Sequence, residues 1–274
     1  MIDHELIKRA LAEDLGDGDD ITSIATVSGT ERVVADFVAR NSGVIAGSGM
    51  AKATLEAVGL SDIALLVQDG AHVEAGQVLM TVRGDTRAIL LAERTALNFF
   101  GHLSGIATLT AKWVTQLEGT QCKVRDTRKT TPGYRLLEKY AVRMGGGTNH
   151  RMSLSDAALI KDNHIAAAGG VVAAFAKVRE KFPTTEIEIE VDTLDQLREV
   201  MPQKPDLVLL DNMSPAQCAE AVAIVAGKVK LEASGGISIE NARAYALSGV
   251  DFIAVGALTH SAPVFDIGLD LRAE

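Results

Sequence analysis

Four short apolar segments determine the fold of this chain: residues 186–191 (EIEIEV), 207–211 (LVLLD), 230–233 (KLEA) and 252–255 (FIAV). They begin 21 to 23 residues apart, and amphipathic stretches such as Leu194 to Val200 and Pro215 to Ala226 lie between them. This spacing is typical of the βα repeat of a parallel sheet. Two earlier segments, Lys123 to Asp126 and Ala157 to Lys161, continue the same alternation. The sequence from about residue 121 therefore predicts a parallel α/β barrel.

The first 85 or so residues lack this alternation and indicate a separate mixed α/β unit. Asp3 is placed to cap a short amphipathic helix, and Arg32 to Ala39 is typical of a strand. Residues 65–82 give strands separated by an Asp-Gly turn and a Gly turn. Lipoyl and biotinyl carrier domains have similar hairpins but need a Lys at the tip, and residues 65–82 contain none. The pattern therefore favours a plain β layer.

One long apolar stretch, Arg87 to Leu117, is predicted to be helical because its apolar residues form a broad stripe. We expect Gly101 and Gly105 to divide it into two helices at the join between domains. Arg94 lies among apolar neighbours in this stretch. A lone cation on a helix by default faces solvent, with its stem over apolar surface.

Composition excludes several classes of protein. The 274 residues carry a net charge of −9, which disfavours non-specific binding to nucleic acid or to a membrane surface. Cys122 and Cys218 are far apart and form no redox or zinc motif. The first residues are acidic and lack the apolar core of a signal peptide, so a cytoplasmic protein is expected.

Positive charge is concentrated in one region. Residues 123–161 contain nine Lys or Arg against three Asp or Glu, although the chain as a whole is acidic. This region also holds the glycine turn at Gly145 to Gly147. Such a concentration indicates a site for a small, multiply charged anion.

The carboxyl ends of the predicted strands carry charged residues or small-residue loops. Active sites of α/β barrels form at this end of the strands. The residues there are Asp126 to Lys129, Lys161, Glu190, Asp211, Ser234 to Gly236 and Gly256-Ala257. A purely structural barrel would not need this regularity.

Glycine turns follow two consecutive late strands, at Ser234 to Gly236 and at Gly256-Ala257. Their backbone N–H groups are suited to hold a phosphate. The sequence contains no Walker A motif, and Gly145 to Gly147 lacks the strand context of a dinucleotide fingerprint.

Two acids, Glu190 and Asp211, end neighbouring strands. They are suited to coordinate Mg²⁺ or to accept hydrogen bonds from ribose hydroxyls. The alternative is that each only pairs with Lys161 or Arg128. Glu186 and Glu188 share a strand face with Glu190, so alternation alone does not single it out.

The cations are of two kinds, which indicates two anions. Arg128 and Arg151, beside His150, suit bidentate binding of carboxylates, whereas Lys129 and Lys161 suit a phosphate. Three other cations, Arg135, Lys139 and Arg143, recur at helical spacing and are expected to form a solvated helix face. Five further histidines show no metal-binding spacing and are expected in ordinary polar roles: His4, His72, His102, His164 and His260.

Several longer motifs resemble those of the quinolinate phosphoribosyltransferase family. They are Glu93 to Asn98, His102 to Thr108, Asp126 to Gly133, Gly145 to Arg151, Leu159 to His164, Glu190, Asp211 to Met213 and Ser234 to Gly236. The resemblance covers nearly the whole chain, from about residue 5 to Asp266–Leu269. Tyr134 and Met144 depart from the family pattern. These departures bear on the shape of the substrate and not on the reaction class.

The resemblance implies an α/β protein of two domains. Residues 1–108 would form an N-terminal α+β open-faced sandwich, on which the C-terminal tail, residues 263–274, packs. Residues 109–262 would form the catalytic domain, an incomplete, seven-stranded α/β barrel of the TIM type. The resemblance also implies a homodimer with sites shared between subunits, and it leaves assembly into hexamers open.

Residue roles follow from the same resemblance. Quinolinate would be bound by Arg94 (reaching the site of the partner), Thr127, Arg128, His150, Arg151 and Lys161. Phosphoribosyl pyrophosphate would be bound by Lys129, Glu190, Asp211, Ser234, Gly235, Gly236, Val255, Gly256 and Ala257. Catalysis would involve Lys129, Lys161, Glu190 and Asp211. The two acids would hold Mg²⁺ directly or indirectly, and no organic cofactor is implied.

The implied function is decarboxylating phosphoribosyl transfer to quinolinate, in NAD biosynthesis. One alternative is a related phosphoribosyltransferase, associated with molybdenum transport, that acts on another base; Arg94 and His150-Arg151 argue for quinolinate. Another is a non-catalytic anion-binding protein. Such a protein would not need Lys161, Glu190 and Asp211 at consecutive strand ends.

Overall fold

The computed structural model describes residues 2–272, which form two compact units. The first comprises residues 2–111, 136–146 and 261–272, and the second residues 112–135 and 147–260. Residue 1 of the expected first domain and residues 273–274 of the expected tail lie outside the described residues. No helix among residues 2–272 combines the length and the hydropathy needed to cross a bilayer.

The helices and strands follow one another in this order. They are α1 (His4–Leu15), α2 (Ile21–Thr26), β1 (Arg32–Ala39), β2 (Gly43–Val44), α3 (Ser48–Ala57), β3 (Asp62–Leu65), β4 (His72–Val73), β5 (Val78–Asp85), α4 (Thr86–Gln116), β6 (Lys123–Arg125), α5 (Arg135–Met144), β7 (Ala158–Ile160), α6 (Asp162–Ala168), α7 (Val171–Lys181), β8 (Ile187–Val191), α8 (Leu194–Val200), a 3₁₀ turn (Met201–Gln203), β9 (Leu207–Asp211), α9 (Pro215–Val225), β10 (Lys230–Ser234), α10 (Ala242–Leu247), β11 (Phe252–Ala254), α11 (Ala257–His260) and β12 (Ile267–Arg272).

The first unit contains an antiparallel sheet of four strands in the order β12-β1-β5-β3. Phe37 and Met80 from this sheet pack with Ile89 and Phe100 of α4 in one apolar core. Burial of such side chains is the main stabilising contribution in the unit. As predicted, Asp3 begins α1 by accepting a hydrogen bond from the backbone N–H of Leu6 at 3.0 Å.

The predicted division of the long helix at Gly101 and Gly105 is wrong, since α4 is continuous from Thr86 to Gln116. Both glycines instead permit a close backbone approach. A Cβ atom on Gly105 would lie 2.0 Å from the carbonyl oxygen of Pro263, and one on Gly101 would lie 2.8 Å from that of Phe265. The glycines therefore admit the segment that leads into β12, at a helix-propensity cost of about 1 kcal/mol each.

Helix α5 also differs from the prediction. Lys139 is fully buried and Arg135 is half-buried, so of the three expected surface cations only Arg143 is exposed. Arg135 donates to the hydroxyl of Thr130 and to the carbonyl of Met152, both at 3.1 Å. Helical spacing identified a common face but not whether other segments cover it.

The second unit is an incomplete barrel of parallel strands in the order β6-β11-β10-β9-β8-β7. All six strands lie within two residues of the predicted segments. Outside these six strands, an isolated parallel bridge joins Arg125 to Thr148 beside β6. The predicted α/β class is confirmed, with the antiparallel sheet in the N-terminal part of the chain.

Strand alternation gives the barrel two layers of polar side chains. Residues two apart on a strand point to the same face, so Glu188 and Glu190 share one side of β8. Glu232 and Ser234 do the same on β10. The residues nearer the carboxyl ends form an upper level, and Glu188 and Glu232 lie one step deeper.

Candidate active site

A cavity of about 690 Å³ opens at the carboxyl ends of the barrel strands. Its lining comes from every strand end of the sheet and from the loops that follow. The lining residues are Thr127, Arg128, Lys129, His150, Arg151, Leu159, Lys161, Glu190, Leu209, Asp211, Asn212, Glu232, Ser234, Gly235, Gly236, Ile237, Ala254, Val255, Gly256, Ala257 and His260. Every site residue suggested by the sequence, apart from Arg94, is in this set. Arg94 lies in the first unit, on α4, with its side chain exposed.

The cationic side of the cavity is formed by Arg128 and Arg151, both half-buried. Burial and the nearby guanidinium of Arg128 lower the pKa of Arg151. The Nε atom of Arg128 is buried and has no hydrogen-bond partner in the structure. Two partly dehydrated like charges this close favour an anion between them, because it would restore the lost hydrogen bonds and offset their repulsion.

The buried carboxylate of Asp126 holds the segments that carry these arginines. Asp126 directly follows β6, and its carboxylate accepts hydrogen bonds from the side-chain amide of Asn149 and from the backbone N–H of His150, the latter at 2.9 Å. Lys129, next along the first segment, is exposed, and its backbone N–H donates to Thr127 Oγ1 at 3.0 Å. One buried acid thus joins the two arginine-bearing loops.

On the acidic side of the cavity, Glu190, Asp192 and Asp211 bring carboxylate oxygens within 4.8 Å of one another; we call them the rim acids. Glu190 accepts a hydrogen bond from Lys161 Nζ at 2.8 Å, so the pairing that was the alternative to a metal or ribose role is present for this acid. Burial, followed by the negative charges of Glu190 and Asp192, raises the pKa of Asp211. A hard divalent cation fits this donor set, because all its donors are carboxylate oxygens that repel one another when the cation is absent.

The glycine turns approach the cavity closely. Gly235 has a φ of 86°, and a Cβ atom there would lie 2.2 Å from Asn212 Oδ1. A Cβ atom on Gly256 would lie 2.9 Å from Lys129 Cδ. Asn212 itself has a φ of 53° and donates to Asp211 at 2.6 Å. Only glycine fits either position without moving a polar side chain that lines the cavity.

Beneath the rim lies a buried polar group that we call the floor cluster: Arg125, His150, Glu188 and Glu232. His150 Nε2 is 2.7 Å from Glu188 Oε2 and 3.6 Å from Glu232 Oε1, and Arg125 donates to Glu232 Oε2 at 2.8 Å. Burial raises the pKa of Glu188 and of Glu232 to about 7 in each case. The arginine only partly offsets the cost of burying two carboxyl groups.

Several residues of the site were not predicted from the sequence. Asn212 and His260 line the cavity, and Asp192 completes the rim acids. Glu232 lines it from below, although its side chain is fully buried. An acid inside an otherwise apolar strand was a usable signal for Glu232. No sequence signal distinguished His260 from the other scattered histidines.

Solved structures of similar sequence share this fold. The nicotinate-nucleotide pyrophosphorylase from Francisella tularensis superposes with a TM-score of 0.94 at 40% identity, covering 98% of this chain and 95% of that one. The enzyme of the same name from Ehrlichia chaffeensis gives a TM-score of 0.91 at 40% identity, covering 98% of each chain. The fold and the cavity thus define an α/β-barrel enzyme of the phosphoribosyltransferase class.

Sequence comparison identifies the family. The model of the quinolinate phosphoribosyl transferase N-terminal domain matches residues 20–104, and that of the C-terminal domain matches residues 106–270. The nicotinate-nucleotide pyrophosphorylase (carboxylating) of Mycobacterium leprae is 52% identical, over 97% of this chain and 96% of the relative. The chain belongs to the quinolinate phosphoribosyltransferase family of pentosyltransferases.

Proposed function

We propose that the cavity catalyses decarboxylating phosphoribosyl transfer from phosphoribosyl pyrophosphate to quinolinate, the reaction of the family. The products are nicotinate mononucleotide, pyrophosphate and CO₂, and the reaction belongs to NAD biosynthesis. The observation that carries this proposal is the division of one cavity into an arginine side and an acidic side. A pyridine dicarboxylate needs the first, and a metal-bound pyrophosphate needs the second.

Quinolinate lies against the arginine side in this proposal. Arg128 and Arg151 bind its carboxylates, with Thr127 and Lys161 alongside. The unpartnered Nε of Arg128 supports this placement because a bound carboxylate would supply its acceptor. Fixing both carboxylates turns the ring nitrogen toward the anomeric carbon, which lowers the entropic part of the barrier.

Phosphoribosyl pyrophosphate occupies the other side. The backbone N–H groups of the turns at Ser234 to Gly236 and Val255 to Ala257 are suited to its phosphate, and Lys129 to its pyrophosphate. Glu190 and Asp211, now joined by Asp192, would hold Mg²⁺, which neutralises charge on the pyrophosphate when it is bound. No organic cofactor enters the proposal.

The chemistry then proceeds in two steps. The ring nitrogen forms a bond to the anomeric carbon while the bond to pyrophosphate breaks, and Lys129 and Lys161 stabilise the departing charge. Glu190 and Asp211 stabilise the positive character of the ribose. The ring nitrogen, now quaternary, draws electrons from the bond to the adjacent carboxylate. CO₂ leaves, and a proton from water takes its place on the ring carbon.

We further propose that the active enzyme is a homodimer in the cytoplasm, with Arg94 of one subunit contacting quinolinate bound to the other. Arg94 is exposed on α4. Its surface exposure leaves it available to a second copy of the chain. The proposal also allows dimers to assemble further into hexamers.

The direct test measures CO₂ and pyrophosphate release from quinolinate, phosphoribosyl pyrophosphate and Mg²⁺. We expect one CO₂ for each pyrophosphate, and no pyrophosphate when nicotinate replaces quinolinate. Pyrophosphate release without CO₂ from another base would support the molybdenum-associated alternative. Binding of both substrates without any product would support the non-catalytic one.

A further inference from the structure

The reaction steps proposed above use no residue of the floor cluster, although two of its members, His150 and Glu232, line the cavity below the arginine side. Glu188 is 4% exposed, Glu232 is fully buried and His150 is 8% exposed. Three buried polar side chains beside the half-buried Arg125 are costly to place in a barrel interior unless they hold other residues of the site in position. Their hydrogen bonds indicate what they fix.

The hydrogen bonds of His150 determine its tautomer. The backbone N–H of Arg151 donates to His150 Nδ1 at 2.8 Å, so Nδ1 must carry a lone pair rather than a proton. The proton of the neutral ring therefore lies on Nε2. That nitrogen is 2.7 Å from Glu188 Oε2, which is the acceptor. Both ring nitrogens are thereby engaged inside the protein. His150, which the resemblance assigned to quinolinate binding, therefore lines the cavity without directing either nitrogen at a substrate carboxylate.

The remaining neighbours of the ring hold it from the other sides. Glu232, 3.6 Å from Nε2, is itself fixed by Arg125. Arg125 stacks over the ring of Phe252, with its guanidinium carbon 4.4 Å from the ring centre. The imidazole thus lies in a rigid frame built from β6, β8, β10 and β11.

We propose that Glu188 is a positioning residue for the anion site: by accepting the Nε2 proton it holds His150 in the tautomer that binds the backbone N–H of Arg151. His150 then acts as a bridge from the floor of the barrel to the main chain of a substrate-binding arginine. This proposal rests on the proposed function, because its kinetic test uses quinolinate.

Arg151 is held at two points, its backbone N–H and its guanidinium, so the position of the main chain affects where the guanidinium lies. Arg151 Nη1 donates to the carbonyl of Ala157 at 2.7 Å. With both the backbone and the guanidinium fixed, the side chain has little freedom, which favours one geometry for the bound carboxylate. If the backbone end is released, this preorganisation weakens and quinolinate binding suffers more than phosphoribosyl pyrophosphate binding.

The test compares Glu188→Gln with Glu188→Leu. The amide oxygen of Gln still accepts the Nε2 proton, whereas Leu offers no acceptor. Glu188→Leu should raise the KM for quinolinate about tenfold, which corresponds to one lost hydrogen bond of a buried group. Glu188→Gln should raise it by much less, and the KM for phosphoribosyl pyrophosphate should stay within about twofold in both variants.

Glu186→Leu is the matched control. Glu186 immediately precedes β8 and points to the same side as Glu188, but it is exposed. It should leave both KM values unchanged. Equal rises in the two KM values for Glu188→Leu, or equal effects of Gln and Leu at position 188, would overturn the proposal.

A second readout does not depend on turnover. In protein labelled with ¹⁵N-histidine, the signal assigned through the His150→Asn variant should show an unprotonated Nδ1 and a protonated Nε2. Glu188→Leu should populate the other tautomer. A protonated Nδ1 in the wild-type protein would overturn the proposal, even where Glu188→Leu does not fold. The expected tautomer in a protein inactive toward quinolinate would instead count against the proposed function alone.

Discussion

Glu190 and Glu188 lie two residues apart on β8 and point to the same side of the sheet, but their surroundings differ. Glu190 lies at the rim, where its partner is Lys161, a residue whose side chain is 48% exposed. Glu188 lies one step deeper, where its partner is the buried ring of His150. The same contrast separates the rim acids from Glu232. Both acids are buried, at 6% and 4% exposure, so the partner and not exposure distinguishes them: Glu190 pairs with a lysine that solvent reaches, whereas Glu188 pairs with a buried ring.

Loss of an arginine from the cationic side of the cavity should give the largest effect. Arg128→Ala removes a half-buried guanidinium whose Nε has no partner within the structure. We expect kcat/KM for quinolinate to fall roughly 10³-fold, as two charge-assisted hydrogen bonds are lost. Steady-state kinetics measure the change, and circular dichroism checks that the fold survives.

Arg198→Ala provides the control for this loss. Arg198 belongs to the same unit and pairs with Asp195 on the surface at 2.7 Å. Its removal should leave kcat/KM unchanged, because exposed ion pairs contribute little. Near-normal kinetics of Arg128→Ala would show that the arginine side of the cavity does not bind quinolinate.

The buried acids of the floor cluster should make the free energy of unfolding depend on pH. Burial raises the pKa of Glu232 from 4.5 to about 7. Between these values the folded protein keeps a proton that the unfolded chain releases, so stability falls as the pH rises through this window. The loss attributable to Glu232 is on the order of a few kcal/mol by pH 8.

Glu232→Gln should remove this loss. Urea unfolding at pH 5 and pH 8 gives the free energy of unfolding of each protein, and the wild-type protein should lose more between the two pH values. Glu199→Gln, at an exposed acid, should behave as the wild type does. Parallel pH profiles for the wild type and Glu232→Gln would mean that the Arg125 interaction keeps Glu232 ionised in the folded state.

The sequence allowed the rim to be predicted better than the floor. Strand ends can be located from apolar periodicity, and all parallel strand ends meet on one side of a barrel, so Lys161, Glu190 and Asp211 were found together. The alternation of Glu186, Glu188 and Glu190 is identical whichever of them is buried. Burial depends on which strands flank β8 and in what register, and no local pattern contains that information.

The errors in the first unit have the same origin. Gly101 and Gly105 have the properties of helix breakers, but their role depends on Pro263 and Phe265, which are about 160 residues away along the chain. Lys139 was placed on a surface by helical spacing, and the structure buries it. In each case a contact distant in sequence overrode a local preference.

A smaller effect should follow from crowding the glycine turn at Ser234 to Gly236. Gly235→Ala places a Cβ atom 2.2 Å from Asn212 Oδ1 at a φ of 86°. We expect a loss of about 2 kcal/mol in stability from strain and overpacking, together with a higher KM for phosphoribosyl pyrophosphate. Gly236→Ala separates the two causes, since its φ is 62° but no atom lies within 4 Å of the added carbon. Equal losses in the two variants would leave backbone strain as the whole explanation.

The smallest expected effect comes from neutralising one rim acid. Asp211→Asn keeps the shape of the side chain and leaves Glu190 and Asp192 in place. We expect the Mg²⁺ concentration for half-maximal activity to rise about tenfold, because a neutral amide oxygen is a weaker ligand than a carboxylate. The KM for quinolinate should stay constant, since the change lies on the acidic side of the cavity.

Asp195→Asn is the matched control, because Asp195 has a side chain that is 93% exposed. It should leave the Mg²⁺ requirement unchanged. A rise in the KM for quinolinate in Asp211→Asn, with an unchanged Mg²⁺ requirement, would contradict the division of the cavity into two sides. It would place Asp211 with the floor acids, as a residue that acts by holding its neighbours, and the contrast between rim and floor would then rest on Glu190 and Asp192.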